Sequence, residues 1–89
     1  MTVNYVKVSE TLKALAHPAR LKIVVGLLKD ECNVAQIQKV LGLPQPTISQ
    51  HLRILKNAGI IKGRREGSKI CYRVIDGRVR TIVEIIKRK

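Results

Sequence analysis

The sequence predicts a mainly α-helical domain with one small β-hairpin, and three observations predict it. Apolar residues recur at helical spacing along most of the chain. Pro18, Gly42, Gly59 and Gly77 cut it into helix-sized pieces. One segment, Lys69 to Val74, instead alternates in the manner of a strand, with Ile70, Tyr72 and Val74 on one face.

The elements follow in order. Val8, Leu12, Leu15 and Ala16 make a short amphipathic helix with a start as early as Val3. It stops at His17-Pro18, because the residue before proline avoids the helical region. Pro18 then suits the first position of a second helix, where its missing N–H costs nothing. There Leu21, Val24, Val25 and Leu28 form a stripe that Ile23 and Leu27 widen, so this helix belongs at the centre of the core. Asn33 suits the N-cap of a third helix, with Ile37, Val40 and Leu41 inward and Gly42 just past its end. A fourth helix spans about 45–58, within the stretch LPQPTISQHLRILKNAG. Gly67-Ser68 turns a hairpin with a basic tip. After Asp76-Gly77 the stripe Val79, Ile82, Val83 and Ile86 defines a last helix ending in Lys87-Arg88-Lys89. A helix, a tight turn, a polar-fronted helix and a hairpin make a winged helix-turn-helix, here with a flanking helix at each end.

Residues 1–89 form a single domain near the lower end of what folds on its own core. Phe and Trp are absent, leaving Tyr5 and Tyr72 as the aromatic residues. Such a core is thin, and burying more surface in a dimer would help it. Net charge is +12, from 18 Lys and Arg against 6 Asp and Glu. That excess points to an anionic partner, nucleic acid or an anionic membrane surface; a merely basic surface is the plain alternative. No apolar run approaches the roughly 18–20 residues of a membrane span. The start, MTVNYVKVSE, lacks the apolar stretch of a signal peptide, so a cytoplasmic protein without a membrane partner is expected. Sparse aromatics argue against recognition by base stacking. No carboxylate pair, Ser/His/Asp set or phosphate-binding glycine loop appears, so neither an enzyme nor a cofactor is expected.

On a helical wheel Ile48, Leu52 and Leu55 fall within about 60° of one another and form the inward seam. Opposite lie Pro46, Gln50, Arg53 and Asn57, with Ser49 and Lys56 at the edge. Short polar groups stand at the front of this face and long cations behind. A helix entering the major groove of double-stranded DNA needs that distribution. Base contacts are assigned to Gln45, Thr47, Ser49 and Gln50, and backbone contacts to Arg53 and Lys56. Free N–H groups at the helix start also attract phosphate. His51 sits nearer the seam than the groove. In the wing, 64–69, the cations Arg64, Arg65 and Lys69 suit a narrow minor groove or the backbone; a solubilising edge hairpin is the alternative.

LAHPARLKI, QPTISQHLRILKNAG and REGSKICYR together resemble the ArsR/SmtB family of repressors, over roughly residues 9–75. The resemblance implies a homodimeric winged helix that binds a palindromic operator and leaves it on binding an effector. Groove contacts carried over from the family fall on Gln45, Ser49 and Gln50, and wing contacts on Arg64, Arg65 and Lys69. Pro46 stands where a serine is common. The outer helices form the family's dimer interface, which here implies Val79, Ile82, Val83 and Ile86.

Two departures bear on sensing. Asn33 and Ala35 occupy the places of the family's paired thiolates, and Asp76-Gly77-Arg78 lacks the histidine of its other metal site. No metal site is therefore expected, and the effector is unknown. Cys32 and Cys71 are a candidate redox or persulfide pair, if a short strand at Cys32 lies beside the second wing strand; two inert cysteines are the alternative. A non-sequence-specific architectural DNA binder and a winged-helix protein-interaction or RNA-binding module are the competing functions.

Overall fold

The computed structural model describes residues 2–30 and 34–88. Five helices and one hairpin follow in chain order: α1 Tyr5–Leu15, α2 Pro18–Lys29, α3 Val34–Leu41, α4 Gln45–Asn57, β1 Ile61–Glu66, β2 Lys69–Val74 and α5 Gly77–Lys87. The expected class, a mainly helical winged helix-turn-helix, is the fold observed.

Local chemistry sets most boundaries. The Asn4 side chain accepts the Lys7 N–H and caps α1. Pro18 opens α2, and the Nδ1 of His17 accepts the Ala19 N–H. Gly42, at φ 66°, follows α3. The proposed cap Asn33 lies outside the described residues. Asp76 caps α5 by accepting from the N–H groups of Arg78 and Val79.

The exit of α4 fixes where the hairpin goes. Gly59 has φ 75°. Its N–H bonds the Lys56 carbonyl at 3.0 Å, and the Ile60 N–H reaches back to Leu55 at 3.0 Å. This is a Schellman closure, in which a left-handed residue lets two otherwise unpaired carbonyls find donors. It turns Ile60 into the core, where it is fully buried beside Leu55. β1 and β2 then pair antiparallel from Ile61↔Val74 to Glu66↔Lys69.

The core joins Ile23, Val24 and Leu27 of α2 to Ile37 of α3 and Ile48, Leu52 and Leu55 of α4. Ile60, Ile61, Val74, Val79 and Val83 close it. α2 and α3 approach closely at Gly26, where a Cβ would lie 2.9 Å from the Ile37 side chain. α2 is central as expected, but its deepest line is Ile23, Val24 and Leu27, and Leu21, Val25 and Leu28 are half-buried flanks.

Two expectations need correction, at Val40 and on α5, and the apolar hairpin face is covered only in part. Val40 is 75% exposed. The eight-residue α3 docks along Ile37 and Leu41, which leaves Val40 on the wall of an open groove against α2. Ile70 is exposed and Cys71 is buried. The hairpin projects beyond the helices, so only the base of the Ile70–Tyr72–Val74 face is covered, while the other face packs inward at Cys71. On α5, Val79 and Val83 are buried in the chain's own core and do not form an uncovered stripe. Asp76 starts the helix so that these two face inward, leaving Ile85 and Ile86 each 58% exposed.

Candidate nucleic-acid interface

α4 is pinned from one side. Ile48 and Leu55 are fully buried and Leu52 nearly so, which leaves one orientation about the helix axis. The seam read from spacing is the seam observed. Gln45, Pro46, Gln50, Arg53, Lys56 and Asn57 are exposed, and Ser49 is half-buried at the edge. Gln45 and Ser49 act as a pair. The Gln45 Nε2–H donates to Ser49 Oγ at 3.1 Å, one helical turn on. The amide oxygen of Gln45 and the Ser49 hydroxyl proton remain for an outside partner. Sequence reading named both residues without the bond between them, although their i, i+4 spacing was the available signal.

Thr47 is half-buried, on the wall of a cavity with His17, Leu43 and His51. It stands apart from the exposed row. The start of α4 is also poorer in free donors than its position suggests. Pro44 and Pro46 carry no N–H, and those of Thr47 and Ile48 bond the Pro44 carbonyl. Phosphate attraction there falls to the Gln45 N–H and the helix dipole.

The wing tip carries Arg64, Arg65 and Lys69, all exposed. Arg64 donates to Glu66 Oε2 at 2.8 Å, an ion pair with both side chains largely in water. Such a pair contributes little to stability. Its effect is to hold one wing cation beside a competing anion, which sequence reading did not anticipate. Cys71 is buried in β2 opposite Arg64, and a cavity of about 210 Å³ beside it is lined by Lys62, Gly63, Arg64 and Arg73. Its sulfur is engaged in a disulfide. Cys32 lies outside the described residues.

Among the described residues no three His, Cys, Asp or Glu gather as a metal site, and no helix is long and apolar enough to cross a membrane.

This architecture has relatives. Residues 17–62 match the bacterial regulatory protein, arsR family. The chain belongs to the ArsR family. A curated relative of this ArsR-family chain, the HTH-type transcriptional regulator MJ1325 of Methanocaldococcus jannaschii, is 43% identical over 93% of this chain and 94% of its own length. The crystal structure of the transcriptional repressor BigR from Xylella fastidiosa superposes with a TM-score of 0.82 at 34% identity, covering 92% of this chain and 84% of that one. The homodimeric winged helix-turn-helix DNA-binding domain of Mb0332 from Mycobacterium bovis superposes with a TM-score of 0.83 at 31% identity, covering 93% and 77%. Members of the ArsR family are transcriptional regulators and not enzymes.

Proposed function

We propose that the chain is a homodimeric transcriptional repressor that binds a palindromic operator in double-stranded DNA. α4 enters the major groove and the wing lies on the minor groove or backbone. One observation carries the reading: a helix fixed by a buried seam, presenting Gln45, Ser49 and Gln50 ahead of Arg53 and Lys56. Glutamine matches the donor and acceptor pattern of an adenine edge, and the cations behind it match phosphate. Thr47, half-buried, stands back from that row. Arg64, Arg65 and Lys69 supply the second electrostatic contact.

Dimerisation rests on the outer helices. α1 and α5 leave Tyr5, Val6, Leu12, Ile85 and Ile86 exposed. A cavity between them brings Val8 and Leu12 of α1 together with Ile82 of α5, rimmed by polar residues such as Lys7, Thr11 and Arg78. We assign the interface to this surface. Ile82 and Ile86 belong to it, while Val79 and Val83 support it from inside.

The test is selection of bound duplexes from a random pool. An inverted repeat with half-sites about one helical turn (~34–36 Å) or a multiple apart is expected. Equal, salt-sensitive affinity for any duplex would indicate an architectural binder, and no duplex affinity a protein-interaction module. Gln50→Ala should relax base preference without a general loss; unchanged preference removes α4 from the groove.

A second reading is favoured by the disulfide at Cys71. We infer a thiol-based effector response in which Cys32, the other cysteine of the chain, is its partner. Bond formation oxidises the two thiols and delivers two electrons and two protons to an oxidant such as a disulfide or a sulfane-sulfur species. Electrophoretic mobility of the operator with oxidised and reduced protein decides it, and equal affinity in both states ends this reading.

A further inference from the structure

The outward face of α4 does not explain His51. It lies on the inner side of the helix, only 9% exposed, among the seam residues. Its Nδ1 is enclosed and has no hydrogen-bond partner. A buried polar atom left unpaired needs a reason. The neighbouring group is the ring of His17, its centroid 4.7 Å away and its plane inclined by 50°. His17 is committed in its turn, because its Nδ1 accepts the Ala19 N–H and caps α2. An accepting Nδ1 carries no proton, so the proton of the neutral His17 ring sits on Nε2. Both histidines line a cavity of about 390 Å³ between the start of α2 and α4, with Lys22, Leu41, Leu43 and Thr47.

We propose that the His17–His51 pair is a proton-binding site that couples acidity to the seating of α4 and, through it, to DNA binding. The second half of that statement rests on the DNA-binding reading above. The groups facing His51 oppose a charge there. α2 contributes the His17 ring, the Arg20 guanidinium and, on the cavity wall, Lys22. Leu41 of α3 and Leu43 of the turn contribute only apolar surface. Arg20 is tethered to α1, its Nε–H donating to the Ala14 carbonyl at 2.6 Å. Glu10 and Lys13 of α1 line a separate cavity with Arg20. Burial first, then His17 and then Arg20, hold the His51 pKa below its ordinary 6.5. The Nδ1 of His17 is the acceptor that caps α2, so it offers no second place for that proton without loss of the cap.

With α2 and α4 seated, a proton on His51 is therefore disfavoured. A proton is accommodated by moving the inner face of α4 away from α2, where His51 regains water. Below 6.5 the displaced arrangement gains by up to about tenfold per pH unit until the seated form also titrates. DNA pulls the other way, since phosphates favour any added positive charge. A site-specific loss of affinity in acid is thus opposite to what bulk charge produces.

The chain has two histidines, so proton NMR follows each ring without DNA. The expected midpoint of His51 lies below 6.5, rising in His17→Asn, which keeps a capping side chain. In the second arm, a duplex selected at pH 7.5 is titrated at pH 7.5 and 5.5. The wild type should lose several-fold more affinity than His51→Gln, up to about tenfold per protomer. A His51 midpoint at or above 6.5, or equal losses in the two proteins, overturns the proposal. If His51→Gln does not fold, the wild-type and His17→Asn midpoints decide it. Failure to select any duplex at pH 7.5 refutes the DNA-binding reading instead, and the NMR arm still judges the proton site.

Discussion

Arg65 offers the sharpest test of the wing. It is exposed at the tip, and no carboxylate pairs with it among the described residues, whereas Arg64 is held by Glu66 at 2.8 Å. Each cation that neutralises a DNA phosphate contributes about −0.9 to the slope of log affinity against log salt. The proposed homodimer carries two wings, so Arg65→Ala should flatten the slope by about 1.8. Between about 50 and 200 mM salt, a fourfold change, the wild type should then lose about twelvefold more affinity than the variant. Arg64→Ala should cost less affinity, because Arg64 must leave Glu66 before it meets a phosphate. Glu66→Gln removes that competitor and one negative charge. An exposed pair is worth at most about 1 kcal/mol, so this variant should bind every duplex up to about fivefold more tightly per wing. Fluorescence anisotropy across a salt series measures all three. An Arg65→Ala slope equal to wild type would mean that the wing does not touch phosphate. Weaker binding by Glu66→Gln would mean that Glu66 positions Arg64 rather than competing for it.

The exit of α4 gives a second prediction. Nothing lies within 4 Å of a Cβ built on Gly59, so Gly59→Ala should cost only the left-handed penalty of about 1–2 kcal/mol. The urea midpoint should fall at unchanged m-value, and Gly59→Asn should fall less. Ile86→Glu places a charge where the single chain is already open, so circular dichroism should stay native while sedimentation shows a monomer and DNA affinity drops. Val83→Glu buries that charge in the core and should unfold the chain. Stability should also depend on pH through His51. Its folded pKa is depressed, so the unfolded chain takes the proton first. Stability is full above 6.5 and is lost as pH falls through 6.5 towards the folded value. Thermal melts at pH 7.5 and 5.5 should differ more for wild type than for His51→Gln.

What the sequence disclosed was whatever its local chemistry decides. Pro18 after His17, Gly42, Gly59 and Asp76 each act within a few residues of themselves, so the helix boundaries were legible. The seam of α4 was legible because three residues at one angle leave little choice. The errors arose where burial depends on what another element covers. Val40 shares a helix face with Ile37, yet α2 covers Ile37 and leaves Val40 on the wall of an open groove. Val79 and Val83 looked uncovered from the α5 pattern alone, but α5 folds back on its own domain. The Arg64–Glu66 pair and the Gln45–Ser49 bond went unseen for another reason. Charge and polarity belong to single residues, whereas which exposed groups meet one another is set by the strand pleat and the helical turn.

The two sides of α4 are not independent. Rotating the helix by one residue, about 100°, would turn Ser49 and Arg53 inward and expose Ile48 and Leu52. Burying an unpaired Arg53 is far costlier than any contact on the outer face could return. The outward row is therefore chosen by the inward one, and a small displacement of the seam moves every group that would face DNA. Among the inward residues Ile48, Leu52 and Leu55 have no chemistry that changes with solution conditions. His51 does, and it rests on His17 at the start of the central helix. The wing has its own covalent tie at Cys71, on the strand that leads back from the basic tip. His51 and Cys71, the two inward groups with such chemistry, thus both lie on the inner supports of the surfaces proposed to meet DNA.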